Sequence, residues 1–284
     1  MNSSIRTVGI VGAGTMGSGI AQACAVAGVE AVMVDIDRQA VDRGLAAVGK
    51  SLERLLAKGK LTEGDKAAAL ARIAGSTRYE DLGHAQLVIE AATENHALKN
   101  KILKQLGEML APQAIIATNT SSISITQLAA VTGRADRFVG MHFFNPVPMM
   151  ALVEIIRGLQ TSDATFAAVQ ALAVQLGKSP IAVKNAPGFV VNRILVPMIN
   201  EAFFVLAEGL ATPEDIDAGM KLGCNHPIGP LALADMIGLD VCLAVMEVYL
   251  HEFGDSKYRP CPLLREYVAA GRLGRKSGRG VYSY

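Results

Sequence analysis

Cysteine is scarce. Cys24, Cys224, Cys242 and Cys261 stand far apart with no CxxC or CxxH spacing, which argues against both a zinc site and a disulfide framework. All four read as small buried hydrophobes. Charge of one sign is missing too: 27 Lys and Arg face 26 Asp and Glu, a net charge of +1. No segment gathers a basic face, so nucleic acid is not an expected partner. No apolar stretch of about 18 residues escapes polar interruption. "MNSSIR" leads straight into a strand-like run at Ile5 with no apolar leader before it, so the reading is a cytoplasmic protein with no membrane contact. A GxSxG elbow is absent, which leaves a serine nucleophile without support. No internal repeat or low-complexity tract appears.

What is present is a large apolar fraction, 51% of 284 residues, enough for one large or two ordinary domains. In the first part, short β-branched runs alternate with Ala-rich segments of helical period: "TVGIVG", "AVMVDID", "LVIEAA", "AIIATNT", "FVGMHFF", "LVEIIRG" and "PIAVK". That alternation predicts an α/β, Rossmann-like domain over residues 1–185, a mostly parallel sheet with flanking helices. The charged stretch between Arg38 and Ala74 reads as a projecting helical hairpin, with "AKGKLTEGD" as its turn. At "KNAPGFVVNR" the character changes. Pro187 fits a first helical turn, and no strand signal follows, so residues 186–284 are expected to form an all-α domain with helices broken at Gly or Pro. Thr212, followed by Pro213, reads as a helix N-cap. These helices carry more apolar residues than one inward face needs, which points to a second copy as partner.

"VGIVGAGTMGSGIAQ" sets Gly12, Gly14 and Gly17 at the GxGxxG spacing, with Thr15 and Met16 between them, after an apolar strand and before an Ala-rich helix. Such a turn brings backbone N–H groups and the helix dipole to a pyrophosphate; taken alone it could be only a tight strand-to-helix turn. Asp35 closes the second strand about 23 residues after Gly12, where a carboxylate meets an adenosine ribose. A 2′-phosphate beside that carboxylate would be repelled by on the order of 4 kcal/mol per pair of unit charges. NAD is therefore expected over NADP, with Arg38 as the neighbouring charge that opposes the preference.

Two further apolar strands each carry one ionisable residue, His142 in "VGMHFFNPVP" and Glu154 in "LVEIIRG". A buried carboxylate is costly unless paired. If consecutive strands lie side by side, Glu154 meets His142, fixes its tautomer and makes it a general base. The same pair could equally be two satisfied core residues. In an open parallel sheet, ligands bind beyond the carboxyl ends of the strands, and "TNTSSIS" places Asn119, Ser121 and Ser122 there; a plain helix cap is the alternative for the serines.

"GIVGAGTMGSGIA", "VIEAATEN", "TNTSS", "GMHFFNPVPMMALVEII", "PGFVVNRIL" and "GRKSGRGVY", in this order over nearly the whole chain, resemble the short-chain L-3-hydroxyacyl-CoA dehydrogenases, particularly the bacterial 3-hydroxybutyryl-CoA dehydrogenases. The resemblance implies a homodimeric enzyme that uses NAD to oxidise (S)-3-hydroxyacyl-CoA to 3-ketoacyl-CoA and to run the reverse, with acyl-CoA held in a cleft between the domains. It implies His142 as catalytic base, Glu154 as its partner, and Ser121 and Asn192 as hydrogen-bond partners of the reacting oxygen and thioester. Without it, Asn192 would pass for a polar residue on an exposed helix side. It further implies that Glu94, Lys99, Asn119, Asn145 and Lys276 contact or border the cofactor, and that Ser51 and Lys58 touch the CoA portion. For Lys58 a solvated helix face is the other reading. Two rivals stand beside the enzyme: a non-catalytic dinucleotide-binding redox sensor or structural protein of the same fold, and a β-hydroxyacid dehydrogenase acting on free acids. Nothing in mere binding requires the dyad, and free-acid chemistry usually wants a catalytic lysine.

Overall fold

A computed structural model describes residues 5–284. Two compact units divide the chain, Met1–Ala186 and Pro187–Tyr284.

The first unit is built on one eight-stranded sheet. Its elements run β1 (Thr7–Val11), α1 (Thr15–Val26), β2 (Glu30–Val34), α2 (Arg38–Ala57), α3 (Glu63–Ala71), β3 (Ile73–Ser76), β4 (Leu87–Glu90), α4 (His96–Met109), β5 (Ile115–Thr118), α5 (Ile125–Ala130), β6 (Phe138–Phe143), β7 (Leu152–Arg157), α6 (Asp163–Gln175) and β8 (Ser179–Lys184). The strand order is β3-β2-β1-β4-β5-β6-β7-β8. All neighbours are parallel except β6 and β7, which pair antiparallel. Because the chain leaves β1 toward β2 on one side and returns at β4 on the other, a topological switch point lies between β1 and β4. There, in open α/β sheets, ligands bind beyond the carboxyl ends of the strands. Val8, Ile10, Met33, Leu87 and Ile89 are wholly buried, which fits strands covered on both faces.

Three local expectations give way here. The stretch from Arg38 to Ala74 is not all helix: Ile73 and Ala74 belong to β3, which pairs with β2 at the sheet edge. A four-residue run, "IAGS", shows no β-branched alternation to announce it. The turn "AKGKLTEGD" is shorter than expected, because Thr62 and Asp65 form a reciprocal capping box that starts α3 at Glu63. The run at Ile5 becomes strand only at Thr7; residues 1–4, part of the "MNSSIR" segment, lie outside the described residues.

The second unit comprises α7 (Val191–Ala207), α8 (Pro213–Gly223), α9 (Pro230–Ile237), α10 (Leu239–Phe253) and α11 (Pro262–Ala269). Its closing segment adds a 3-10 turn at Arg275–Ser277 and isolated bridges, Gly274 to Arg279 and Arg279 to Ser283. Pro187 does not open a helix. Gly188 and Phe189 take left-handed backbone (φ 73° and 52°), so α7 begins at Val191. Thr212 caps α8 by accepting from Asp215 N–H, with Pro213 at the first helical position. Two buried carboxylates tie segments together, one at the start of α9 and one at the closing segment. Asp217 accepts from the N–H groups of Leu231 and Ala232, and Asp235 from those of Val281 and Tyr282. Cys224 departs from the expected pattern: it is exposed, at the residue that ends α8, while the other three cysteines are buried. No helix among the described residues is long and apolar enough to cross a membrane.

Candidate active site

The first half of the site is made of backbone. Gly12 sits at φ 104° against β4's exit, where a Cβ would meet Ala92 Cα at 2.6 Å. A Cβ on Gly17 would lie 1.8 Å from Gly12 O; only glycine permits this tight passage from β1 into α1. Gly14 differs, because a Cβ there would meet nothing within 4 Å. It caps α1 without a side chain, so the first-turn N–H groups and the helix dipole face open space. That space is a cavity of about 350 Å³ lined by Gly12, Gly14, Thr15, Asp35, Arg43 and Ala92, among others. Asp35 is set at its rim: Oδ2 accepts from Ala13 N–H at 2.9 Å and Oδ1 from Asp37 N–H at 3.3 Å. Arg38 turns to Asp42 at 3.0 Å, so the guanidinium that lines the cavity belongs to Arg43.

The second half is made of side chains at the carboxyl ends of β4, β5 and β6. His142 and Glu154 are directly opposed in the antiparallel β6–β7 ladder. Adjacent antiparallel partners point to the same face, and their side chains meet: His142 Nδ1 lies 2.7 Å from Glu154 Oε2. Glu154 is fully buried and His142 is 6% exposed, enough for the ring to reach a ligand at its edge. Phe144 packs on the ring, centroid to centroid 4.5 Å. One strand over, Asn119 Oδ1 accepts from Phe143 N–H at 2.8 Å, and Asn119 N–H donates to Glu90 O, lacing β4, β5 and β6 together beside the histidine.

Glu94 gathers the "TNTSS" loop. Its Oε1 accepts from Thr120 Oγ1 at 2.6 Å, Ser121 N–H at 2.8 Å, Ser121 Oγ at 3.1 Å and Ser122 Oγ at 3.4 Å. The serines are not helix caps, because α5 is capped by Ser124. Lys99, expected at the cofactor, is 1% exposed; its ammonium pairs with Glu90 and stands 3.7 Å from Glu94 Oε2. Asn145 is exposed at the start of the loop after β6. That loop is held by Lys178, whose Nζ donates to the carbonyls of Val147 and Met150 at 2.5 and 2.9 Å. Burial pushes the Lys178 ammonium below the ordinary lysine range.

The remaining expected residues are placed elsewhere in their own units. Ser51 lies half-buried within α2, and Lys58 is its exposed C-terminal cap. Asn192, half-buried, is in the first turn of α7. Lys276 pairs with Asp240 of the second unit at 2.5 Å. Sequence reasoning missed Glu90, Thr118 and Lys178. For Glu90 the signal was present, a lone carboxylate in the apolar run "LVIEAA".

Comparison with known proteins agrees along the whole chain. The family model described as 3-hydroxyacyl-CoA dehydrogenase, NAD binding domain, matches residues 7–186, and the one described as 3-hydroxyacyl-CoA dehydrogenase, C-terminal domain, matches residues 188–284. A probable 3-hydroxybutyryl-CoA dehydrogenase of Bacillus subtilis is 54% identical over 99% of this chain and 98% of its own length. A 3-hydroxybutyryl-CoA dehydrogenase of Bradyrhizobium diazoefficiens is 51% identical over 100% and 97%. Among solved structures, the (S)-3-hydroxybutyryl-CoA dehydrogenase of Ralstonia eutropha superposes with a TM-score of 0.97 at 74% identity, over 99% of both chains.

Proposed function

Since the chain belongs to the 3-hydroxyacyl-CoA dehydrogenase family, we propose that it oxidises (S)-3-hydroxyacyl-CoA to 3-ketoacyl-CoA and runs the reverse reduction, with short-chain thioesters such as 3-hydroxybutyryl-CoA and acetoacetyl-CoA as substrates. NAD is the cofactor of this domain, and the side-chain-free helix N-terminus opening on a cavity beside Asp35 fits a dinucleotide. NAD held there would supply the hydride acceptor for the substrate's C3 and, reduced, the hydride donor for the reverse direction.

The observation that carries the reading is the 2.7 Å contact between His142 and Glu154. With Nδ1–H donated to Glu154, the neutral imidazole offers Nε2 to a reacting hydroxyl and removes its proton. In reduction the imidazolium gives that proton back to the developing alkoxide, and the Glu154 carboxylate balances its charge. Ser121 and Asn192 hydrogen-bond the reacting oxygen and the thioester. Gly12, Gly14, Thr15, Met16, Gly17 and Asp35 serve the dinucleotide's phosphates and ribose; Glu94, Lys99, Asn119, Asn145 and Lys276 border its reactive end, and Ser51 and Lys58 meet the CoA moiety. The family match along the whole chain supports these assignments.

Residues 1–185 then form the NAD domain and 186–284 a substrate and dimerisation domain. A homodimer through the latter is favoured by its apolar surface, including Ile194 (67% exposed), Leu210 (69%) and Leu222 (87%). With all four cysteines free of disulfides, a cytoplasmic location suits the chain. Acetoacetyl-CoA-dependent oxidation of NADH tests the activity, and NADH binding without turnover would restore the non-catalytic alternative. Free 3-hydroxybutyrate assayed beside its CoA thioester separates the free-acid reading. Sedimentation at micromolar concentration tests the dimer.

A further inference from the structure

Glu90 and Thr118 hold no place in the chemistry above, yet both are 0% exposed. They face each other in the β4–β5 register as the last residues of their strands. A carboxylate in so dry a place costs several kcal/mol unless its charge and both oxygens are satisfied. Every bond Glu90 makes leads toward the site. Its Oε1 accepts from Ala92 N–H at 3.0 Å, and Ala92 lines the cavity at the glycine turn. Its Oε2 accepts from Thr118 Oγ1 at 2.8 Å and from the Lys99 ammonium. Lys99 also donates to Thr118 Oγ1 at 3.3 Å and reaches Glu94 Oε2 at 3.7 Å. Glu94 in turn holds the Ser121 hydroxyl and N–H.

One ammonium therefore lies between two carboxylates, one buried and one half in solvent. With Glu90 and Thr118 fixing the ammonium from the inside, Lys99 can present charge to Glu94 from only one place. Glu94 is then held where it can gather the serine loop. Resting on the proposed function, we infer that Glu90 and Thr118 are positioning residues for the reaction, acting through Lys99 on Glu94 and thereby setting Ser121 and the loop beside the cofactor. Neither reaches the surface. Each acts by removing freedom from a group that does.

The test compares Glu90→Gln, Thr118→Val and Thr118→Ser, alone and with Glu94→Gln. The chain has no tryptophan, so NADH binding is followed by the dinucleotide's own fluorescence, alongside kcat and KM for acetoacetyl-CoA and thermal melting. Glu90→Gln and Thr118→Val should each weaken NADH binding and lower kcat/KM by about tenfold or more, as loss of an orienting partner does. Thr118→Ser keeps the hydroxyl and should stay within about twofold. With Glu94→Gln already present, Glu90→Gln should add less than about twofold, because the path it acts through is gone. Were Glu90→Gln not to fold, the two Thr118 variants decide alone. The inference is overturned if Thr118→Val and Glu90→Gln lower the melting temperature while NADH binding and kcat/KM stay within about twofold. Full additivity with Glu94→Gln overturns it as well. An unaltered protein without acetoacetyl-CoA reduction would remove the proposed function instead, and the NADH titrations would still decide the positioning.

Discussion

Two fully buried carboxylates stand in one sheet, and each meets an ionisable side-chain nitrogen: Glu154 meets His142, and Glu90 meets Lys99. The construction is the same and the partner differs. With Nδ1 turned to Glu154, the imidazole still has Nε2 to take and return a proton, whereas an ammonium is a donor only. One pair can do proton chemistry; the other can only hold a shape. A third pair, Lys276 with Asp240, shares the ionic contact but stands partly in solvent, with side chains 47% and 39% exposed.

Breaking the static pair should cost the most. Lys99→Met strands the Glu90 charge in the interior, and urea unfolding should lose about 3–5 kcal/mol; Glu90→Leu with Lys99→Met should regain most of it. An unaltered single variant would mean that the pair carries no buried charge. Breaking the moving pair should leave stability less affected and rate more so. Glu154→Gln should lower kcat by on the order of 10²-fold while NADH binding stays within about twofold, by steady-state kinetics and fluorescence titration. At the phosphate end, Asp35→Ser should shift the NAD-to-NADP ratio of kcat/KM by about tenfold or more toward NADP. Comparable use of both dinucleotides by the unaltered protein would remove Asp35 as the selector.

The solvent-side pair should matter least, and only in acid. Burial pushes the Asp240 carboxyl up, but the Lys276 hydrogen bond and charge, with the N–H groups of Val241 and Asp240, outweigh it and hold the group below its ordinary value. A lowered carboxyl stabilises the fold above its unfolded value of about 3.9, and that contribution is lost as pH falls through the folded value. Asp240→Asn should therefore lower melting slightly at pH 7 and by less at pH 3. The opposite order would mean that the pair does not form.

His142, Glu154 and the glycine turn were legible because each violates or completes a local pattern: an ionisable group in an apolar strand, or three glycines between strand and helix. The α/β first unit and helical second unit followed from the change in period at Pro187. What stayed hidden was set by partners distant in sequence. Glu90 carries the same signal as Glu154, but its meaning depends on Lys99, nine residues on and turned inward from α4. Lys178 acts on carbonyls 28 and 31 residues away, which no spacing discloses. β3 is strand because β2 offers it an edge, and Cys224 is exposed because α8 ends there; neither fact is local. Asn192 was singled out only through family resemblance, since a helical Asn has no strand partner to mark it, and its proposed role rests on that resemblance.

The most direct test is acetoacetyl-CoA-dependent NADH oxidation by the protein and by His142→Gln, with NADH affinity measured on the same samples. Turnover should fall by about 10²- to 10⁴-fold in the variant while NADH affinity stays within about twofold; undiminished turnover in His142→Gln would contradict the account.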